Sequence, residues 1–136
     1  MAVAPENTLA SFRRAAVDHA DWIEFDVRLS AEGTPVIFHD DTLDRTSDGK
    51  GPALDHDIAV LKTLDAGRWF SPEFQGETIP TFQETIILCR ELGLGMNIEI
   101  KPNPGEERAT AIAALAMLDT VLGEKDHEIA GSIVFS

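Results

Sequence analysis

Basic residues are scarce in this chain. Eleven Lys and Arg stand against 24 Asp and Glu, which leaves a net charge of −13 at neutral pH. Nucleic-acid binders neutralise phosphates with basic patches, and an anionic membrane surface attracts the same sign of charge, so the average field argues against both partners. A locally cationic pocket or a bound divalent metal is compatible with it. Cysteine is nearly absent as well. Cys89 stands alone, which excludes an internal disulfide and points to a reducing, cytoplasmic setting; its own reading is a small buried apolar residue of a helix. No stretch approaches the roughly 18 apolar residues of a membrane span. The start, Met1-Ala2-Val3-Ala4-Pro5-Glu6, lacks the basic and apolar parts of a signal peptide. Internal repeats and low-complexity tracts are lacking too. The remaining composition, 43% hydrophobic and 26% charged over 136 residues, is that of one globular domain, 1–136.

Periodicity orders the elements. A helix is expected from about Asn7 to His19, capped by Asn7 or Thr8, with Leu9, Phe12, Ala16 and His19 at helical spacing. A strand follows over Trp22–Leu29, then a turn at Gly33 and a strand over Pro35–His39. Residues 40–80, rich in Asp, Gly, Pro and Thr, form a long excursion with a short helix at about Asp57–Leu64, so that hairpin and insertion together occupy about 30–80. A helix over Thr81–Leu92 is preceded by Pro80 and ended by Gly93. Leu94–Lys101 is a strand stopped by Pro102, Glu106–Leu122 a helix ended by Gly123, and Ser132–Phe135 a last strand. Strands alternating with helices indicate parallel βαβ units. Only five residues separate Leu29 from Pro35, whereas a parallel crossover needs about a dozen or more. Those two strands must therefore pair antiparallel, which brings His39 opposite Asp26 or Glu24.

The chemistry lies in the alternation. In Trp22–Leu29, Ile23, Phe25, Val27 and Leu29 share one face and Glu24, Asp26 and Arg28 the other. In the later strand Met96, Ile98 and Ile100 face one way, and Asn97, Glu99 and Lys101 the other. A half-solvated sheet explains one such strand. Two are anomalous, because parallel strands under helical crossovers are normally apolar on both faces. If the sheet curls into a barrel with helices outside, Glu24, Asp26 and Glu99 converge inside, towards the strands' C-terminal ends where barrel enzymes place their chemistry. Packed carboxylates repel one another unless a cation joins them, and an all-oxygen set suits Mg²⁺ or Ca²⁺ better than zinc. His39 beside such a cluster is a candidate general acid or base, with a packing role at a strand end as its alternative. Lys101 is a candidate anion contact, with a solvated strand-end lysine as its alternative. Together these groups point to phosphoryl chemistry.

These residues resemble the glycerophosphodiester phosphodiesterases. Ala4-Pro5-Glu6-Asn7-Thr8 is similar to the segment after that family's first barrel strand, and Ile23-Glu24-Phe25-Asp26-Val27 to its Glu-x-Asp strand. Pro35 to Thr46, with His39-Asp40-Asp41-Thr42-Leu43-Asp44-Arg45 at its centre, resembles the His-Asp segment. Asp65-Ala66-Gly67 with Trp69-Phe70, then Ile79-Pro80-Thr81, match the insertion and the following helix, and Asn97-Ile98-Glu99-Ile100-Lys101 the strand carrying a third ligand. The resemblance implies an α/β fold of the TIM-type (β/α)8 barrel class that hydrolyses glycerophosphodiesters to glycerol 3-phosphate and an alcohol. It implies Glu24, Asp26 and Glu99 as ligands of Mg²⁺ or Ca²⁺, His39 as the acid that protonates the leaving oxygen and Lys101 as a phosphate contact. Trp69 and Phe70 would line the substrate entrance, with a core role as their alternative.

Departures from the family pattern set further expectations. Members carry a His-Arg pair before Ala-Pro-Glu-Asn-Thr, where this chain has only Met1, Ala2 and Val3; His19, His56 and His127 sit in no matching context and read as surface residues. The 136 residues amount to roughly the first half of a barrel without its first strand, since a whole one takes about 250. Self-association through exposed barrel edges and weak or no activity of this chain alone are therefore expected. The competing readings are a truncated, non-catalytic metal-binding or assembly fragment, and another phosphodiesterase of the same barrel type, phospholipase D-like or phosphoinositide phospholipase C-like.

Overall fold

The computed structural model describes residues 2–123 and 132–136. Helix α1 spans Leu9–Val17, strand β1 Trp22–Leu29, strand β2 Pro35–Ile37, helix α2 Ile58–Leu61, helix α3 Phe82–Leu92, strand β3 Gly95–Ile100, helix α4 Glu107–Leu122 and strand β4 Ile133–Phe135. The four strands form one sheet in the order β2-β1-β3-β4. β1 runs parallel to β3, and β3 to β4, while β2 pairs antiparallel with β1.

Local chemistry sets the boundaries. Thr8, not Asn7, caps α1: its Oγ1 accepts from the Ser11 N–H at 3.2 Å and donates to the Pro5 carbonyl at 2.7 Å. Thr81 caps α3 in a reciprocal box with Glu84, and Gly93 closes it in the left-handed conformation at φ 69°, where glycine carries no side-chain clash. α2 is shorter than expected, one turn capped by Asp57. His127 lies outside the described residues, His19 is exposed and His56 half-buried.

The described helices cover one face of the sheet. Ile23, Phe25, Val27, Met96 and Ile98 from that face pack with Phe12 of α1, Phe82, Ile86 and Cys89 of α3, and Ala114 and Leu118 of α4. Phe25 sits between Phe12 and Phe82, with ring centroids 5.6 and 5.9 Å away. Burying each such ring contributes roughly 1.5–3 kcal/mol. Burial pushes the Cys89 thiol up to about 12, so it stays protonated and inert, as expected of a core cysteine. A second apolar cluster, including Val36, Phe38, Leu43, Leu61 and Ile79, holds the excursion against β2. Among the described residues no helix lies over the opposite face of β1 and β3, which carries the charged side chains.

The hairpin register differs by one position from both expected pairings. Val27 pairs with Ile37 and Arg28 with Val36, and the Phe38 N–H donates to the Asp26 carbonyl at 3.1 Å. Phe38, not His39, lies across from Asp26. The strand ends at Ile37 because residues 39–46 turn away into a loop, so His39 reaches the charged face from that loop and not from the ladder.

Candidate active site

Parallel register places Glu24 beside Asn97 and Asp26 beside Glu99. Alternation then turns Glu24, Asp26 and Glu99 to the uncovered face, where an oxygen from each lies within 4.8 Å of the other two. Asp26 is 4% exposed. Its Oδ2 accepts from Asn7 Nδ2 at 2.9 Å, while its Oδ1 is buried with no hydrogen-bond partner among the described residues. An orphaned buried carboxylate oxygen costs free energy unless something fills its demand. Three converging carboxylates, one of them carrying such an oxygen, are the donor set of a hard cation. The residues fit Mg²⁺ or Ca²⁺, with Glu24, Asp26 and Glu99 the groups that would hold it.

Charge within the cluster is uneven. Partial burial, then the neighbouring Asp26 and Glu99, raise the Glu24 carboxyl above the usual carboxylate range. Glu99 is held below that range, chiefly by its hydrogen bond with Lys101, whose Nζ lies 2.9 Å from Glu99 Oε1. Lys101 thus stands at the site, but engaged with a carboxylate.

Asn7 and Arg28 went unnoticed by sequence reasoning as site residues. Asn7 adopts φ 54°, a left-handed conformation asparagine tolerates better than most. There it both donates to Asp26 Oδ2 and accepts, through Oδ1, from the Asp26 N–H at 3.2 Å. The Ala4–Thr8 segment carried the signal. Arg28 is 3% exposed. Its Nη1 donates to Asn103 Oδ1 at 3.0 Å and its Nη2 to the His39 carbonyl at 2.8 Å and to Asp41 Oδ1 at 3.2 Å. Its place on the charged face of β1 was legible; its role as a tether for the backbone of His39 was not.

His39 borders two clefts. One, about 470 Å³, is lined by Glu24, Asp26, Asn7 and Arg45 among others, and the second, about 530 Å³, by Arg28, Asp40, Asp41, Thr42 and Lys101. The imidazole therefore stands between the carboxylates and the cationic pair Arg28 and Lys101. Its Nδ1 is 2.7 Å from Asp40 Oδ1.

Trp69 and Phe70 are placed elsewhere. Neither lines either of these clefts. Trp69 borders a separate recess with Ser47, Asp48, Asp65, Arg68 and Gln75, and its Nε1 donates to the Ala66 carbonyl at 2.9 Å. Its ring meets Phe70 edge-on, and Phe70 meets Phe74. The surrounding motif is structural: Asp65 accepts from the N–H groups of Gly67, Arg68 and Gly76. A Cβ at Gly67 would run into the Phe74 carbonyl. The excursion folds back on itself around that aspartate.

The model of the glycerophosphoryl diester phosphodiesterase family matches residues 2–132. A glycerophosphodiester phosphodiesterase of Caldanaerobacter subterraneus is 46% identical over 97 residues, which are 71% of this chain and 40% of that protein. Among solved structures, a phosphodiesterase of Oleispira antarctica in complex with the product sn-glycerol 3-phosphate superposes with a TM-score of 0.89 at 44% identity, over 97% of this chain and 51% of the other. A glycerophosphodiester phosphodiesterase of Agrobacterium tumefaciens superposes at 0.81 with 32% identity, over 98% and 52%. The chain thus spans about half the length of these relatives or less. The four-stranded sheet with its outer helices is a segment of the TIM-type barrel.

Proposed function

The chain belongs to the glycerophosphoryl diester phosphodiesterase family, and from that premise we propose that its uncovered face is the metal-binding and proton-donating part of a site that hydrolyses glycerophosphodiesters to glycerol 3-phosphate and an alcohol. The observation that carries this reading is the convergence of the three carboxylates, one of which, Asp26, keeps a buried Oδ1 without a hydrogen-bond partner among the described residues. Glu24, Asp26 and Glu99 hold Mg²⁺ or Ca²⁺. When bound, the ion supplies positive charge that orients the diester and offsets charge building on its phosphoryl oxygens. His39 donates a proton to the alcohol's oxygen as its bond to phosphorus breaks, which makes a poor alkoxide leaving group a neutral alcohol. Lys101, flexible and cationic at the same face, contacts a phosphoryl oxygen once its hold on Glu99 is exchanged for one on substrate.

Calorimetric titration of Mg²⁺ and Ca²⁺ into the chain tests the reading, with Glu24→Gln and Glu99→Gln as controls. Saturable one-site binding that both substitutions abolish is expected. Absence of binding, or binding that survives both, overturns it. Product analysis with glycerophosphocholine then assigns the reaction. Glycerol 3-phosphate, formed slowly at most by a chain about half the length of its relatives, is expected; a cyclic phosphate identifies a different barrel phosphodiesterase, and binding without turnover identifies a metal-binding module.

A further inference from the structure

Around His39 runs a chain of ion pairs that the proposed reaction has not used. Arg45 grips two carboxylates at once. Its Nε donates to Asp40 Oδ2 and its Nη2 to Asp40 Oδ1, both at 2.8 Å. Its Nη1 donates to Glu6 Oε2 at 3.1 Å and its Nη2 to Glu6 Oε1 at 2.7 Å. Both contacts are two-pronged, the arrangement in which a planar guanidinium fixes orientation as well as charge. Asp40 Oδ1, held in this way, faces His39 Nδ1 at 2.7 Å. Glu6, His39 and Asp40 lie close enough together to suggest a cation site, but the Arg45 guanidinium already pairs with both of its carboxylates.

We propose that Arg45 is a positioning residue for His39: anchored by Glu6, it orients the Asp40 carboxylate so that His39 Nδ1 keeps its proton and Nε2 is the nitrogen left to donate or accept one. The inference rests on the reading of His39 as the acid. Asp40 is well suited to this role because Arg45, then His39, hold its carboxyl well below the usual range, so it remains an acceptor throughout the working pH of an enzyme. The same arrangement holds His39 at two points, its ring through Asp40 and its backbone carbonyl through Arg28 Nη2. The link also ties the Ala4–Thr8 segment, which carries Asn7 and so touches the carboxylate cluster, to the loop that carries His39. Glu6 and Asn7 are adjacent, one serving each half of the site.

The test has two readouts. In ¹⁵N-labelled protein near pH 8, long-range ¹H–¹⁵N spectra identify which ring nitrogen of each neutral histidine bears hydrogen. His39 is expected mainly as the Nδ1–H form, opposite to the preference of free histidine. Arg45→Ala is expected to return it to mainly Nε2–H. Arg45→Lys and the milder Glu6→Gln should shift it part of the way, and they decide the question if Arg45→Ala does not fold. A His39 that is already mainly Nε2–H in the parent, or one unchanged in folded variants, overturns the proposal. The second readout is dependence on the leaving group. Arg45→Lys should slow release of choline from glycerophosphocholine about tenfold, while a p-nitrophenyl ester of glycerol phosphate, whose leaving group needs no proton, slows less than about threefold. Equal losses on both substrates overturn the link to proton donation. Failure of the proposed function registers separately, as a parent protein with no metal-dependent turnover of either ester whatever its histidine spectrum shows.

Discussion

The two faces of β1 obey opposite rules although the same eight residues make both. On the covered face, Ile23, Phe25 and Val27 are buried among helices and complete their packing within the chain, and Leu29 at the strand's end is buried too. On the other, Asp26 and Arg28 are as deeply buried, yet each retains a polar atom with no partner among the described residues: Asp26 Oδ1 and Arg28 Nε. The first face is finished by folding. The second is costly to form and holds its groups ready for something outside the chain, so stability is concentrated on one side of a strand and chemistry on the other.

The largest effect that would test this contrast belongs to the covered face. Phe25→Ala removes the ring between Phe12 and Phe82 and should cost about 3–5 kcal/mol, read as a lower denaturation midpoint in urea, whereas Asp26→Asn on the other face should leave the midpoint much nearer the parent's. Comparable losses would erase the distinction.

Asn7 sharpens it. Asn7→Ala removes both hydrogen bonds to Asp26 and leaves alanine at φ 54°. By the usual influence of groups that orient metal ligands, affinity for Mg²⁺ or Ca²⁺ should fall about 10–100-fold in calorimetry. Asn7→Gly, which relieves the backbone but not the lost contacts, should recover stability without recovering affinity. Equal recovery of both would reduce Asn7 to a backbone device.

The smallest effect is a gain. The folded state raises the Glu24 carboxyl above its unfolded value, through burial and then Asp26 and Glu99. A carboxyl raised in this way costs stability once it ionises, so the metal-free chain loses stability as pH rises from the unfolded value, about 4.3, through the raised one. At pH 7 the full cost is present. Glu24→Gln should therefore melt slightly higher than the parent at pH 7 without metal, with the difference shrinking below about pH 4. Saturating metal should reverse the order, because the parent alone gains binding free energy. A variant less stable than the parent in metal-free buffer would mean that the cluster is not repulsive.

How much of this was legible can be followed residue by residue. Trp22–Leu29 was located to the residue, because alternation and flanking turn residues agree there. Pro80 and Gly93 bracketed α3 for similar reasons, since proline and glycine act on their own backbone. The gathering of Glu24, Asp26 and Glu99 was foreseeable from two strands with the same polar parity. The register of His39 was not, because a hairpin loop of five residues admits neighbouring pairings that only side-chain packing separates. Nor was the placement of Trp69 and Phe70, whose direction depends on how Asp65 collects the N–H groups of the excursion.

By itself the amino-acid sequence determined the α/β class, the antiparallel first hairpin, the polar and apolar parity of each strand and the residue types assembled on the charged face. These follow from periodicity, chain connectivity and local backbone chemistry, all of which act over a few residues. Tertiary structure alone decided that Asn7 holds Asp26, that Arg28 holds His39 by its backbone, and that Arg45 joins Glu6 to Asp40. Those contacts span 19, 11, 39 and 5 positions of chain. They exist because the loops that carry them are brought together by a core on the other face of the sheet.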